Sequence, residues 1–256
     1  MAADIVPELY ESIMEDFREG VEESMRIERV MNRIRDGTAS LADVHDYAEE
    51  LGDILSKALR THLTAETLPN QTLYYNIAYR TVIPALRQNH DMITDMAGAI
   101  QKMIDEANGV GLSFIKPDFP ESRVVDLVKK MTEPDRTLDD ALVWIGEPIV
   151  NNSEAFMDDF VRSNARFKYE SGMEAIITRE ARLNCCEWCQ RLSGSYDYAN
   201  APEDVYRRHE NCRCVVTYHS EKKRQNVWTK EIWESSPEEL ERRKKIVFTP
   251  RRASVG

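Results

Sequence analysis

CCEWCQRLSGSYDYANAPEDVYRRHENCRC, residues 185–214, holds all five cysteines of the chain, and the other 226 residues hold none. Cys186-x-x-Cys189 is followed after nineteen residues by His209-x-x-Cys212, with Cys214 two further on and Cys185 one before. This has the form of a zinc site. Zn2+ takes four N or S ligands in a tetrahedron at about 2.0–2.3 Å, and two tight turns that each present a ligand pair supply them without strain. The candidate ligands are Cys186, Cys189, His209, Cys212 and Cys214. The preferred four are Cys186, Cys189, His209 and Cys212, Cys214 is the rival for the fourth place, and Cys185 is the least suited because its neighbour already fits the turn. A closed four-ligand site contributes folding stability and leaves no open position for a substrate.

Working outward, residues 174–180, EAIITRE, are β-branched and too short for a helix, and 212–219, CRCVVTYH, alternates so that Cys212, Cys214, Val216 and Tyr218 share one face of a strand. Ser193-Gly194-Ser195 and Asn200-Ala201-Pro202 between them are turn signals. A loop-rich β module of this size needs a staple. Upstream the period becomes helical. One long helix is expected over about 7–36, a second from the Ser40 cap to near His62, and a third over 71–107, which Pro84 would bend or split. Residues 110–119, GVGLSFIKPD, read as a linker. Shorter helices follow over about 120–132 and 138–145, the latter capped by Thr137, and Pro148 opens a long helix that stops at Gly172. The fold class expected is α+β: a predominantly helical region over 1–155, a zinc-stapled β module over 156–220, and a basic helical tail over 221–256.

Composition bounds the function. Apolar residues at 42% and charged residues at 31% describe an ordinary globular chain. No window approaches the ~20 apolar residues of a membrane-spanning helix, and the start lacks the basic and apolar regions of an export signal. A reducing compartment is therefore expected, where clustered cysteines signal metal binding or redox chemistry rather than disulfides. Lys and Arg number 34 against 45 Asp and Glu, a net charge of −11 that disfavours a dedicated polyanion binder. The charge is segregated, however: residues 221–256 carry +4 and the first 220 carry −15. In the tail Trp228 and Trp233 lie between basic clusters that include Arg242, Arg243, Lys244 and Lys245, and Arg179, Arg182, Arg191, Arg207, Arg208 and Arg213 surround the cysteines. These are the candidate contacts for DNA or an acidic partner, with a solvated C-terminal helix as the plain alternative. Other features read plainly. Asp43-Asp46, Asp139-Asp140 and Asp158-Asp159 read as solvated helix faces or first-turn charges, and His45, His62 and His90 as exposed or hydrogen-bonded helix residues.

The stretch from Phe160 to Val216 resembles the C-terminal module of the phage Mu F-like head morphogenesis proteins, the phage minor head proteins. The resemblance runs through Asn164 and Arg166 on a helix, Gly172, Cys186 with Cys189, Leu192 with Gly194, and His209, Asn211, Cys212, Arg213 and Cys214. Glu210 departs from it, since the family often carries proline there. The match covers under a quarter of the chain. It implies a non-enzymatic virion component, portal-proximal or inside the capsid, assembled in host cytoplasm and oligomeric in the particle. Its partners would be portal and capsid proteins and, through the basic tail, packaged DNA, with no membrane involved. No phosphate loop, nucleophile elbow or distinctively spaced carboxylate pair argues for an enzyme. A zinc-containing nucleic-acid-binding protein of the host cytoplasm is the alternative. A thiol oxidoreductase using Cys186 and Cys189 ranks last, because such a pair opens a helix within an alternating strand and helix pattern that the sequence around Cys186 does not show.

Overall fold

Val6–Glu23 (α1) begins with Pro7 in its first turn and buries Ile13 and Phe17 completely. The single helix expected over 7–36 is instead two. Ser24 is extended at φ −73° and ψ 113°, its hydroxyl accepts from the backbone N–H of Ile27 at 3.3 Å and donates to Glu50 at 2.7 Å, and Met25–Arg35 (α2) starts there. The apolar period runs through the break, so periodicity alone did not reveal it. Leu41–His62 (α3) starts at Ser40 as expected, with the Asp43 carboxylate accepting from the Ser40 N–H at 2.7 Å. Its Val44, Ala48, Leu51, Leu55 and Leu59 form a stripe with no exposure.

The computed structural model describes residues 4–182 and 185–221, and the expected tail helix lies outside them. Tyr75–Ala107 (α4) runs through Pro84 without being split. Glu121–Met131 (α5) and Leu138–Val143 (α6) match expectation, the latter with the Thr137 cap. Glu147–Glu170 (α7) packs along α3, and Gly52 permits the approach, since a Cβ there would lie 2.8 Å from the Val150 Cα. Residues 110–119 are irregular as expected but pinned: Asn164 on α7 accepts from the Ile115 N–H at 2.7 Å and donates to its carbonyl at 2.8 Å. The buried polar side chain thus satisfies a loop backbone that would otherwise lie against the core unpaired.

Gly172, at φ 84°, ends α7 and turns the chain into Glu174–Glu180 (β1). A five-residue helix, Glu187–Arg191 (α8), Gly194–Asp197 (β2) and Val215–Glu221 (β3) complete a three-stranded antiparallel sheet in the order β2-β1-β3. Both β2 and α8 stand where turns were expected. β3 starts after Cys214, so Cys212 and Cys214 lie in the loop before the strand rather than on its face. The expected boundary at 155/156 falls inside α7, and Ile177, Val216 and Tyr218 join the same apolar core as the helices. The molecule is α+β and mostly helical, as expected.

Candidate metal centre

Three short pieces of chain bring the donors together. Cys186 caps α8 in an extended conformation, which puts Cys189 one turn later on the buried side of that helix. Between His209 and Cys212 the chain reverses, with the Cys212 N–H donating to the His209 carbonyl at 3.2 Å and Asn211 left-handed at φ 57°. Asparagine tolerates that conformation better than most side chains, so the turn forms without the proline. Cys214 follows, buried beside Cys212.

His209 Nε2 lies 3.2 Å from Cys186 Sγ and 2.9 Å from Cys189 Sγ, and the Cys189 and Cys212 sulfurs are 3.8 Å apart. A tetrahedral ion with N and S ligands spaces its donors by about 3.3–3.8 Å. The other imidazole nitrogen, Nδ1, donates to the Glu210 carbonyl at 2.6 Å, which leaves the Nε2 lone pair facing the thiols. Metal-binding histidines are oriented in this way. The donors form two triples that share Cys189: Cys186 with Cys189 and His209, and Cys189 with Cys212 and Cys214. This Cys/His cluster can hold a metal ion. No protein-family profile, curated protein or solved structure matches the chain.

Local electrostatics separate the thiols. The neighbouring Cys214 thiol brings Cys212 down to about 4, helped by the Cys214 backbone and by Arg208 and Arg179. The same neighbour, with burial, pushes Cys214 up. Burial raises Cys189, whereas the Cys189 backbone N–H lowers the exposed Cys186. Cys185 is half-buried and packs at the edge of the cluster. A strand, a helix and a strand do surround Cys186, a pattern that the sequence does not show because α8 and β2 are too short to give a period.

The arginines beside the ligands face inward. Arg208, whose side chain is 5% exposed, donates to Asp158 Oδ1 at 3.0 Å through Nη2 and to Asp158 Oδ2 through Nε, and it pairs with Glu154 at 3.1 Å. It also donates to the carbonyls of Cys212 at 3.2 Å and Cys214 at 2.9 Å. Arg213 reaches Glu49 at 2.9 Å on α3, and Glu147 at 2.8 Å and Glu154 at 3.3 Å on α7. The expectation that Arg208 and Arg213 contact DNA or a partner is therefore corrected: their donors are engaged by carboxylates of the helical body. Arg207 remains exposed and pairs with Asp204 at 2.9 Å. Trp228, Trp233, Arg242, Arg243, Lys244 and Lys245 lie outside the described residues.

One plain reading is corrected as well, and His45 is hydrogen-bonded on its helix as expected. Asp158 is not on a solvated face but buried under Arg208, fifty residues away in sequence. His45 is buried, accepting from Arg208 at Nδ1 (3.3 Å) and donating from Nε2 to the Val216 carbonyl at 2.7 Å. Burial, followed by the Arg208 charge, holds it near 3. His62 pairs with Asp16 at 2.9 Å, and His90 sits buried against the rings of Phe119 and Phe156. Arg179, expected with the other arginines of the module to face a partner, is instead buried and donates to Cys189 and Cys212. Its signal was available: Ala175, Ile177 and Arg179 share strand parity, which puts the arginine on the apolar face of β1.

Proposed function

We propose that the chain is a phage minor head protein of the phage Mu F-like head morphogenesis type, a non-enzymatic, portal-proximal component of the virion whose Cys/His cluster holds a structural zinc ion. The observation that carries the reading is the placement of Arg208 and Arg213. Each is adjacent in sequence to a ligand candidate, and each is ion-paired to carboxylates on α7, so that closing the cluster and seating it on the helical body are one event. A zinc ion there would fix backbone geometry, and the arginines would pass that rigidity to α3 and α7. Zinc suits a set of thiolates and one imidazole in a tetrahedral arrangement, and the ordered motif from Asn164 to Cys214 supports the family reading.

Such a protein would act through contacts with portal and capsid subunits and, through its basic tail, with packaged DNA. Two experiments test this. Elemental analysis of chain purified in reductant is expected to give about one zinc per chain, and its absence overturns the structural-zinc role. Phage or prophage particles are expected to co-purify the protein with portal and capsid subunits. Particles assembled without it that remain fully infectious would end the morphogenesis reading.

A further inference from the structure

The inner face of β1 carries a charge where a hydrocarbon would be the ordinary choice. Arg179 is 1% exposed. Its Nη1 donates to the carbonyls of Val205 at 2.6 Å and Arg207 at 2.9 Å, and its Nη2 points at the sulfurs of Cys189 at 3.7 Å and Cys212 at 3.5 Å. Carbonyl partners satisfy N–H groups but do not neutralise a cation. Among the described residues Arg179 makes no ion pair with a carboxylate, in contrast to Arg208 and Arg213. An unpaired charge removed from water costs several kcal/mol; the Asp158 carboxylate also acts on it but lies farther off and is engaged by Arg208, so the two sulfurs are the nearest groups placed to supply an anion.

A divalent ion bound by three thiolates and one neutral imidazole carries a single net negative charge, which one guanidinium cancels. Four thiolates would carry two, and one would remain. The charge count therefore favours His209 as a ligand over an all-cysteine set, in agreement with the imidazole orientation fixed by Glu210. It also leaves one thiol in excess. We propose that Arg179 is the counter-charge of the metal–thiolate centre and that its sulfur contacts assign the ligands: Cys189 and Cys212 on the buried side, Cys186 and His209 on the outer side, with Cys214 outside the set. This inference rests on the metal reading given above. Because the donors fall into two triples, closure brings Cys212 and the outer pair together, and Cys186, exposed at the start of α8, is the donor with room to move.

The test uses the full chain in reductant. In cobalt-loaded protein the sulfur-to-metal charge-transfer band is expected to fall by about one third in C212S, as one of three thiolates is lost, and to be unchanged in C214S. In chelator competition R179M is expected to bind zinc roughly 10–100-fold more weakly than wild type, as is usual for loss of a group supporting metal ligands. R179K, which keeps the charge without the fork, is expected to recover part of that loss. A role for Arg179 in packing alone would lower stability and leave zinc affinity unchanged. Wild-type affinity in folded R179M, or a band that survives C212S and is reduced in C214S, overturns the inference. If R179M does not fold, the cysteine pair decides on protein whose Arg179 is intact. A wild-type chain that binds no metal fails at the earlier step, the metal reading itself.

Discussion

In the helical body Phe17, Leu51, Leu55, Phe156 and Phe160 are fully buried, and their neighbours are apolar side chains from α1, α3, α4 and α7. In the ligand segments at 185–192 and 207–214 the separate buried cluster is three sulfurs, with Ala181, Cys185 and Trp188 at its edge, whereas Val205 between them packs into the helical core. Each large apolar side chain of the first region contributes about 1.5–3 kcal/mol on burial. Three thiols offer a small fraction of that area, so the second region must be held by bonds instead: hydrogen bonds, ion pairs and the proposed metal. The sheet belongs with the first region, since Ile177, Val216 and Tyr218 pack in the helical core. The line between the two kinds of cohesion therefore runs through the loops at the end of the sheet and not between helices and strands.

The largest effect expected from this contrast is metal removal. A strong chelator in reductant should abolish protection of residues 185–192 and 207–214 in hydrogen exchange or limited proteolysis while far-ultraviolet circular dichroism keeps its helical signal. Equal loss of protection in α3 and α7 would mean that the body, too, depends on the metal. Arg208→Met comes next. It leaves the Asp158 carboxylate buried without its cation, an arrangement that costs about 3–5 kcal/mol, and denaturant unfolding of purified variants measures it. A change below ~1 kcal/mol would show that water reaches Asp158 and that the ion pair is not what joins the loops to the body.

These same residues show what the sequence made legible. The α+β class, α3 with its Ser40 start, α7 with its proline, and the clustering of Cys186, Cys189 and His209 were all readable, because hydrophobic period, caps and cysteine spacing are local signals. The Ser24 break lay inside an unbroken apolar period. α8 and β2 are too short to generate a period at all. The misreadings of Asp158, Arg208 and Arg213 share another cause, which also hid the burial of His45. Each is paired across fifty residues or more, and no local pattern distinguishes such a residue from a solvated one. Only strand parity, at Arg179, carried a hint.

His45 joins the two regions and makes a pH test. It is held neutral, near 3, whereas in the unfolded chain it titrates near its ordinary 6.5. Above that ordinary value both states are neutral and the residue adds no pH dependence. As pH falls below about 6.5 the unfolded chain takes up a proton that the folded chain refuses, so stability drops by about 1.4 kcal/mol per pH unit until pH nears 3. His45→Gln is expected to remove that one-proton slope from the acid limb of unfolding curves. An unchanged slope between pH 6 and roughly 4 would show that other groups govern acid unfolding.

The smallest expected effect lies inside the body. Ser24 is the cap of α2, and its hydroxyl also donates to Glu50 on α3. Ser24→Ala removes both bonds and is expected to cost about 1 kcal/mol, in the usual range for an N-cap. Neither bond approaches the cysteine loops, so chelator-dependent protection of 185–192 and 207–214 should be the same in this variant as in wild type. If losing the cap also weakened zinc retention, α2 and α3 would be transmitting strain to the ligands. The route for that exists: Arg26 on α2 pairs with Glu49 at 2.9 Å, and Glu49 also holds Arg213. Because Glu49 faces Arg26, Arg182 and Arg213 together, loss of one cap leaves two of its partners in place, and the expected coupling is below the ~0.5 kcal/mol that separates independent from interacting sites.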